Sequence, residues 1–247
     1  MRVIAIYNIK GGVGKTATAV NMAYLSARAG AQTLLWDLDP QGAATFYFRV
    51  KPKLRGGIKK LIKGRRPIQR SIRETDFDAL DLLPADFSNR HFDLALEATG
   101  KSNKRLAKLL RPLARTYDHI YLDCAPSISV VSEGVFAAAD ALLVPTIPTT
   151  LSLRTLDQLT RHLDHEPPPR PRVLPFFCMV DRRKALHRSV LANGSADHEF
   201  LEARIPYASV VEQMGEHRAP LASYAPTAEA TRAYEALWHE THARAGS

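Results

Sequence analysis

Apolar residues in this chain come in short, nearly continuous runs that end on acids, prolines or glycines, and they alternate with stretches of helical period. Residues 3–7, 33–36, 80–83, 117–123, 141–145 and 173–180 read as strands, because such runs suit strands buried on both faces of a sheet. Residues 15–29, 103–115, 130–138, 151–165 and 227–245 read as helices. In the second of these, Leu106, Leu109, Leu110 and Leu113 share one face and predict ordinary core packing. In the last, Thr227 is the expected N-cap, and Ala230, Tyr234, Leu237 and Trp238 cluster at helical spacing. Strands alternating with helices predict an α/β fold: a single doubly wound, mostly parallel sheet with helices on both faces, spanning 1–247 as one domain. Pro167-Pro168-Pro169-Arg170-Pro171 reads as a stiff surface connector between its last units.

The chemistry concentrates at the carboxyl ends of these strands. Tyr7-Asn8-Ile9-Lys10-Gly11-Gly12-Val13-Gly14-Lys15-Thr16-Ala17-Thr18 joins the first strand to the first helix, the setting in which a Gly-rich loop cradles phosphates. Without Cβ atoms, Gly11, Gly12 and Gly14 let the backbone curl and aim successive N–H groups at one anion. The helix start adds unpaired N–H groups and the positive end of its dipole. Lys15 can neutralise β/γ-phosphate charge, and the Thr16 hydroxyl can ligate Mg²⁺. The loop lacks the leading glycine of G-x-x-x-x-G-K-[ST] and carries a second lysine, Lys10.

Two further strand ends carry acids. Asp37-Leu38-Asp39-Pro40-Gln41-Gly42 places two aspartates on a turn at the ligand edge of the sheet. Tyr117-Asp118-His119-Ile120-Tyr121-Leu122-Asp123 ends on a carboxylate that can orient Mg²⁺ or its water.

Lys10-Gly11-Gly12-Val13-Gly14-Lys15-Thr16 resembles the deviant Walker A motif of the ParA/MinD family of dimeric ATPases. The resemblance extends from Val3 to about Pro226. Asp37–Gly42 is similar to the family's switch segment, Leu80–Ala85 to its L-x-x-L-P-A, and Asp123-Cys124-Ala125-Pro126 to its D-x-P-P with Ala125 for a proline. It implies a P-loop NTPase fold, ATP and Mg²⁺ as ligands, and slow hydrolysis triggered by a partner. Gly11, Gly12, Val13, Gly14, Lys15, Thr16 and Ala17 would hold the nucleotide, with Ala17 where many relatives have Ser or Thr. Lys15 would act in cis, and Lys10 on the nucleotide of the opposite subunit of an ATP-dependent homodimer. Asp39 would position the attacking water, Thr16 and Asp123 would hold the metal, and Asp37 would support metal and loop. Asp181 and Pro206 fall where the family contacts adenine.

By the same resemblance, the ATP-bound dimer would bind DNA nonspecifically, and a cargo adaptor or ParB-like activating protein would trigger hydrolysis, placing the protein in the cytoplasm on the nucleoid. Arg182, Arg183, Lys184 and Arg188 fall in a region where related proteins carry basic residues. The segment after Ile205-Pro206 lacks the expected arginine, and Arg218 is displaced from it. No helix-turn-helix segment precedes residue 3, so operator binding is not expected.

Composition sharpens the picture at a few points. At 247 residues and 45% apolar, the chain can bury a sizeable core. It holds no run of the roughly 20 apolar residues needed to cross a bilayer. Cys124 and Cys178 suit a reducing cytosol rather than a disulfide framework, and Cys178 reads as a core thiol rather than a cluster ligand. The chain's net charge is +9, yet residues 49–73 alone carry eleven Lys and Arg (Arg55, Lys59 and Lys60 among them) and no acid, leaving −2 elsewhere. That block can bind nucleic-acid phosphates, bind an acidic protein, or keep a surface solvated. Glu229, Glu235 and Glu240 in the last helix favour packing on the domain over membrane insertion. The rival classes are a MinD-like membrane-cycling ATPase and a metabolic enzyme of the same superfamily, such as a dethiobiotin-synthetase-like carboxylase.

Overall fold

A computed structural model describes residues 1–54, 57–99, 102–166, 168–193 and 198–245. Arg55 and Pro167, named above, lie outside the described residues. The described strands are β1 (Arg2–Ile6), β2 (Thr33–Asp37), β3 (Arg73–Glu74), β4 (Leu80–Leu83), β5 (His119–Asp123), β6 (Ala141–Thr146), β7 (Arg172–Val180) and β8 (Arg204–Pro206). They form one sheet in the order β3-β4-β2-β5-β1-β6-β7-β8. Every pairing is parallel except that of β3 with β4.

The unbroken apolar runs follow from two buried faces. On one face Val3, Ala5 and Tyr7 of the β1 segment join Leu34, Trp36, Ile120, Leu122, Leu142 and Val144 under the helices Phe92–Glu97, Ser102–Leu110, Val130–Phe136 and Thr150–His165. On the other, Ile4 and Ile6 join Leu35, Tyr121 and Leu143 under Lys15–Arg28 and Glu229–Ala245. Successive residues of one strand thus serve opposite cores, which is the doubly wound arrangement expected. The chain leaves β1 toward β2 on one side and reaches β6 from β5 on the other, so the strand order reverses at β1. The crevice beyond its carboxyl end is where such sheets take ligands.

Two details depart from the pattern. The last helix begins at Glu229, and Ala228 O accepts its first bond from Arg232 N (3.2 Å), so Ala228 rather than Thr227 holds the capping position. Ala230, Tyr234 and Leu237 of that helix are buried against the sheet as expected. Residues 103–115 form not one helix but Ser102–Leu110 followed by a 3₁₀ turn, Arg111–Arg115, with Pro112 in its first turn. The ring of Pro112 cannot supply the N–H that an α-helix needs there. No helix among the described residues is long and apolar enough to cross a membrane.

Candidate nucleotide site

The loop between β1 and the Lys15–Arg28 helix turns through Gly12 (φ +69°) and Gly14 (φ +90°). Gly14 has a second reason to lack a side chain: a Cβ there would lie 3.0 Å from the Sγ of Cys178, on β7. The loop therefore rests directly on a buried thiol, whose pKa burial pushes up to about 12. Val13 is fully buried and anchors the turn, while Lys10, Thr16 and Ala17 are half-buried.

Both loop lysines are engaged. Lys15 Nζ donates to Lys10 O (2.9 Å), bridging the concavity of its own loop. Burial lowers its pKa, with the charge of Asp123 opposing. Lys10 Nζ donates to Ser152 Oγ (3.2 Å), near the start of the Thr150–His165 helix, and Thr149 Oγ1 lies 2.9 Å from the same hydroxyl. Asn8 fixes the base of this lysine: its Oδ1 accepts from Lys10 N (2.9 Å) and its Nδ2 donates to Pro145 O (2.9 Å).

Parallel register sets the acids beside the loop. Asp123 ends β5 level with Asp37 at the end of β2 and with Ile6 at the end of β1. Both carboxylates are fully buried. Asp37 Oδ2 accepts from Thr45 N (2.8 Å) and Thr45 Oγ1 (2.7 Å), which ties the strand end to the short Ala43–Tyr47 helix. Among the described residues, Asp37 Oδ1 and both oxygens of Asp123 have no hydrogen-bond partner. Burial raises the Asp37 pKa to about 6, against the Thr45 bonds. Burial, and then the Asp37 charge, push Asp123 well above the ordinary carboxylate range, with Thr16 and Lys15 acting the other way. Two adjacent carboxylates with three idle oxygens, facing a phosphate-type loop, fit a hard cation with oxygen ligands. Asp39 sits half-buried on the turn beyond, where its Oδ1 accepts from Gln41 N (2.9 Å) and its carbonyl from Gly42 N (2.9 Å).

The remaining candidates lie further along the same edge. Asp181, just past β7, and Pro206, at the end of β8, line one cleft of about 510 Å³ with Tyr207 and Leu191. Asp181 is held by Arg183 through two bonds (2.9 and 3.0 Å), which lower its pKa to about 2. Arg188 Nη1 donates to the carbonyls of Arg182 and Arg183 (2.9 Å each). Arg218 lies 4.5 Å over the ring of Phe46 and donates to Phe46 O (3.1 Å). These three guanidinium groups are engaged within the chain, whereas Lys184, Lys59 and Lys60 are exposed. Thr45 and Ser152 also hold site residues, and the sequence does not mark them, since a Thr in an apolar run and a Ser after Thr149-Thr150-Leu151 carry no distinguishing pattern.

A family model described as an AAA domain (AAA_31) matches residues 1–166. The chain is 39% identical over 164 residues to the chromosome partitioning protein ParA of Myxococcus xanthus, a match covering 66% of this chain and 58% of that protein. It is 30% identical over 253 residues to ParA of Caulobacter vibrioides, covering 99% of this chain and 95% of that one. The chain belongs to the ParA family. Its fold is also that of cobyrinic acid a,c-diamide synthase from Mycobacterium smegmatis, solved with a bound ATP analog and magnesium. That match has a TM-score of 0.84 at 26% identity, over 100% of this chain and 97% of that one. The loop, the paired acids and the turn of Asp39 lie at the strand ends beside the crevice at the strand-order reversal.

Proposed function

We propose that this chain is a Mg²⁺-dependent ATPase of the partitioning or positioning type, working as one domain whose ATP-bound dimer binds DNA nonspecifically. A cargo adaptor or ParB-like protein triggers hydrolysis, and the protein cycles on the nucleoid in the cytoplasm. The observation that carries this reading is the pairing of a two-lysine loop with idle buried carboxylates at one strand edge.

In this account the backbone of Gly11–Thr16 receives the phosphates, and Lys15 exchanges its contact with Lys10 O for phosphate oxygens. Asp181 and Pro206 border the place for the adenine. Thr16 and Asp123, with Asp37 behind them, would hold Mg²⁺ directly or through water, and the ion would supply positive charge against that of the phosphates. Asp39 orients a water for in-line attack on the γ-phosphorus; the bond to the β–γ bridging oxygen breaks, giving ADP and phosphate. Lys10 leaves Ser152 to reach the nucleotide of the second subunit. Ile128 and Leu151, 49% and 61% exposed near this edge, are apolar groups that a second subunit would cover.

The test is binding of random-sequence duplex DNA with ATP, ADP or no nucleotide at two salt concentrations. Salt-sensitive binding seen only with ATP and lost in Lys10→Ala supports the proposal. An ATP-loaded dimer that ignores DNA refutes it. ATP turnover that requires a small metabolite would favour the metabolic class to which the diamide synthase belongs. Binding to liposomes would favour the membrane-cycling class, against the buried apolar face of the last helix.

A further inference from the structure

The positive charge of this chain is more localised than residues 49–73 alone suggest. Residues 101–115 form a second acid-free segment with six Lys and Arg. Together the two segments hold 17 of the chain's 34 basic residues and none of its 25 acids, so the rest of the chain carries −8 against their +17. A merely solvated surface needs no such separation of sign, because interspersed charges solubilise equally well.

The fold brings the two segments together. Arg105, on the Ser102–Leu110 helix, donates through Nε to Ile62 O at the end of the Gly57–Ile62 helix. Gly64, with φ +66°, completes the joint, since a Cβ there would lie 2.7 Å from the Arg105 guanidinium. Beneath the joint, Ile58, Leu61 and Ile62 share one core with Leu106, Leu109 and Leu110. Their apolar residues are buried in common, which leaves the lysines of both helices exposed around the joint. Lys104, Lys108 and Arg111 stand at i, i+4 and i+7 on one exposed stripe, and Lys59, Lys60 and Lys63 are exposed on the neighbouring element. Among the described residues none of these six forms an ion pair with a carboxylate. The basic loop after β7 contrasts with this, because Arg183 and Arg188 are engaged within it.

We infer that these two helices form one composite surface for the phosphate backbone of DNA, and that it, rather than the loop of Arg182–Arg188, is the main DNA contact of the chain. The inference rests on the DNA-binding reading above and assigns it a place. Rows of exposed cations suit contact with the phosphate backbone without base readout.

The experiment measures ATP-dependent binding of random duplex DNA across a salt series. It compares wild type with Lys59→Glu/Lys60→Glu, Lys104→Glu/Lys108→Glu and Arg182→Glu/Lys184→Glu, checking the mass of the ATP-bound dimer on each sample. Each of the first two pairs should weaken binding at least about tenfold at moderate salt and reduce the log–log salt slope by about 1.8 for each subunit that contacts the duplex, the value for two lost phosphate contacts. Binding that survives both pairs and is lost in Arg182→Glu/Lys184→Glu overturns the assignment and leaves the DNA-binding reading standing. So does a loss confined to the Lys59–Lys60 pair, which would leave the second helix without a part. A wild-type dimer that binds polyglutamate or anionic vesicles but not DNA overturns both.

Discussion

Replacing Gly14 by Ala tests the physical account of the loop apart from any ligand. An L-residue at φ +90° pays conformational strain of about 1–2 kcal/mol. The added methyl also meets Cys178 Sγ at 3.0 Å, and that thiol is buried in the core. Overpacking of this kind costs about 1–3 kcal/mol. Gly14→Ala should therefore destabilise the nucleotide-free protein by about 2–5 kcal/mol, a large share of a typical domain's stability of about 5–15 kcal/mol. Cys178→Ala alone removes one buried heavy atom and should cost about 1 kcal/mol. In the double variant the steric conflict is gone and only the strain remains, so it should be more stable than Gly14→Ala, with a coupling of about 1–3 kcal/mol. Urea unfolding followed by circular dichroism gives all four corners of the cycle. Additive effects would refute the claim that the loop rests on the thiol.

Two other contacts make independent predictions. Thr45→Val removes one of two hydrogen-bond donors to Asp37 and the acceptor for Ala85 N; it should cost about 1–3 kcal/mol and move the Asp37 pKa above about 6, read by thermal melting and carboxyl NMR titration. His242 makes the pH prediction: burial lowers its pKa from 6.5 to about 4, aided by His119 and Arg2, against its bond to Trp238 O. Folded protein then binds fewer protons at His242 than unfolded chain between those values, so this contribution to stability is present above pH 6.5 and lost as pH falls to 4. The melting temperature of wild type minus that of His242→Gln should accordingly decrease over that window, and a constant difference would contradict the assignment.

Much of this architecture was legible in the sequence because burial on both faces leaves apolar runs that end where ligands bind. Asp37 and Asp123 could be placed at strand tips from those runs alone. Their companions could not. Thr45 grips Asp37 from a five-residue helix, Ala43–Tyr47, too short to show a period. Ser152 and Cys178 meet Lys10 and Gly14 only through the order of strands β1, β6 and β7, which local pattern does not encode. The two-residue edge strand Arg73–Glu74 lies inside a basic stretch that carries no strand signal. Likewise the helical period of 103–115 marks the face of Leu106, Leu109, Leu110 and Leu113, but not the contact of Arg105 with Ile62, which depends on the fold.

The central claim is that ATP joins two copies through Lys10, and the mass of the protein in solution tests it most directly. With Mg²⁺ and ATP, Asp39→Ala should hold the nucleotide unhydrolysed and run at about twice 27.4 kDa, returning to 27.4 kDa with ADP. Adding Lys10→Ala should abolish the heavier species. A protein that stays at 27.4 kDa with ATP, or that doubles regardless of nucleotide and of Lys10, would contradict the account.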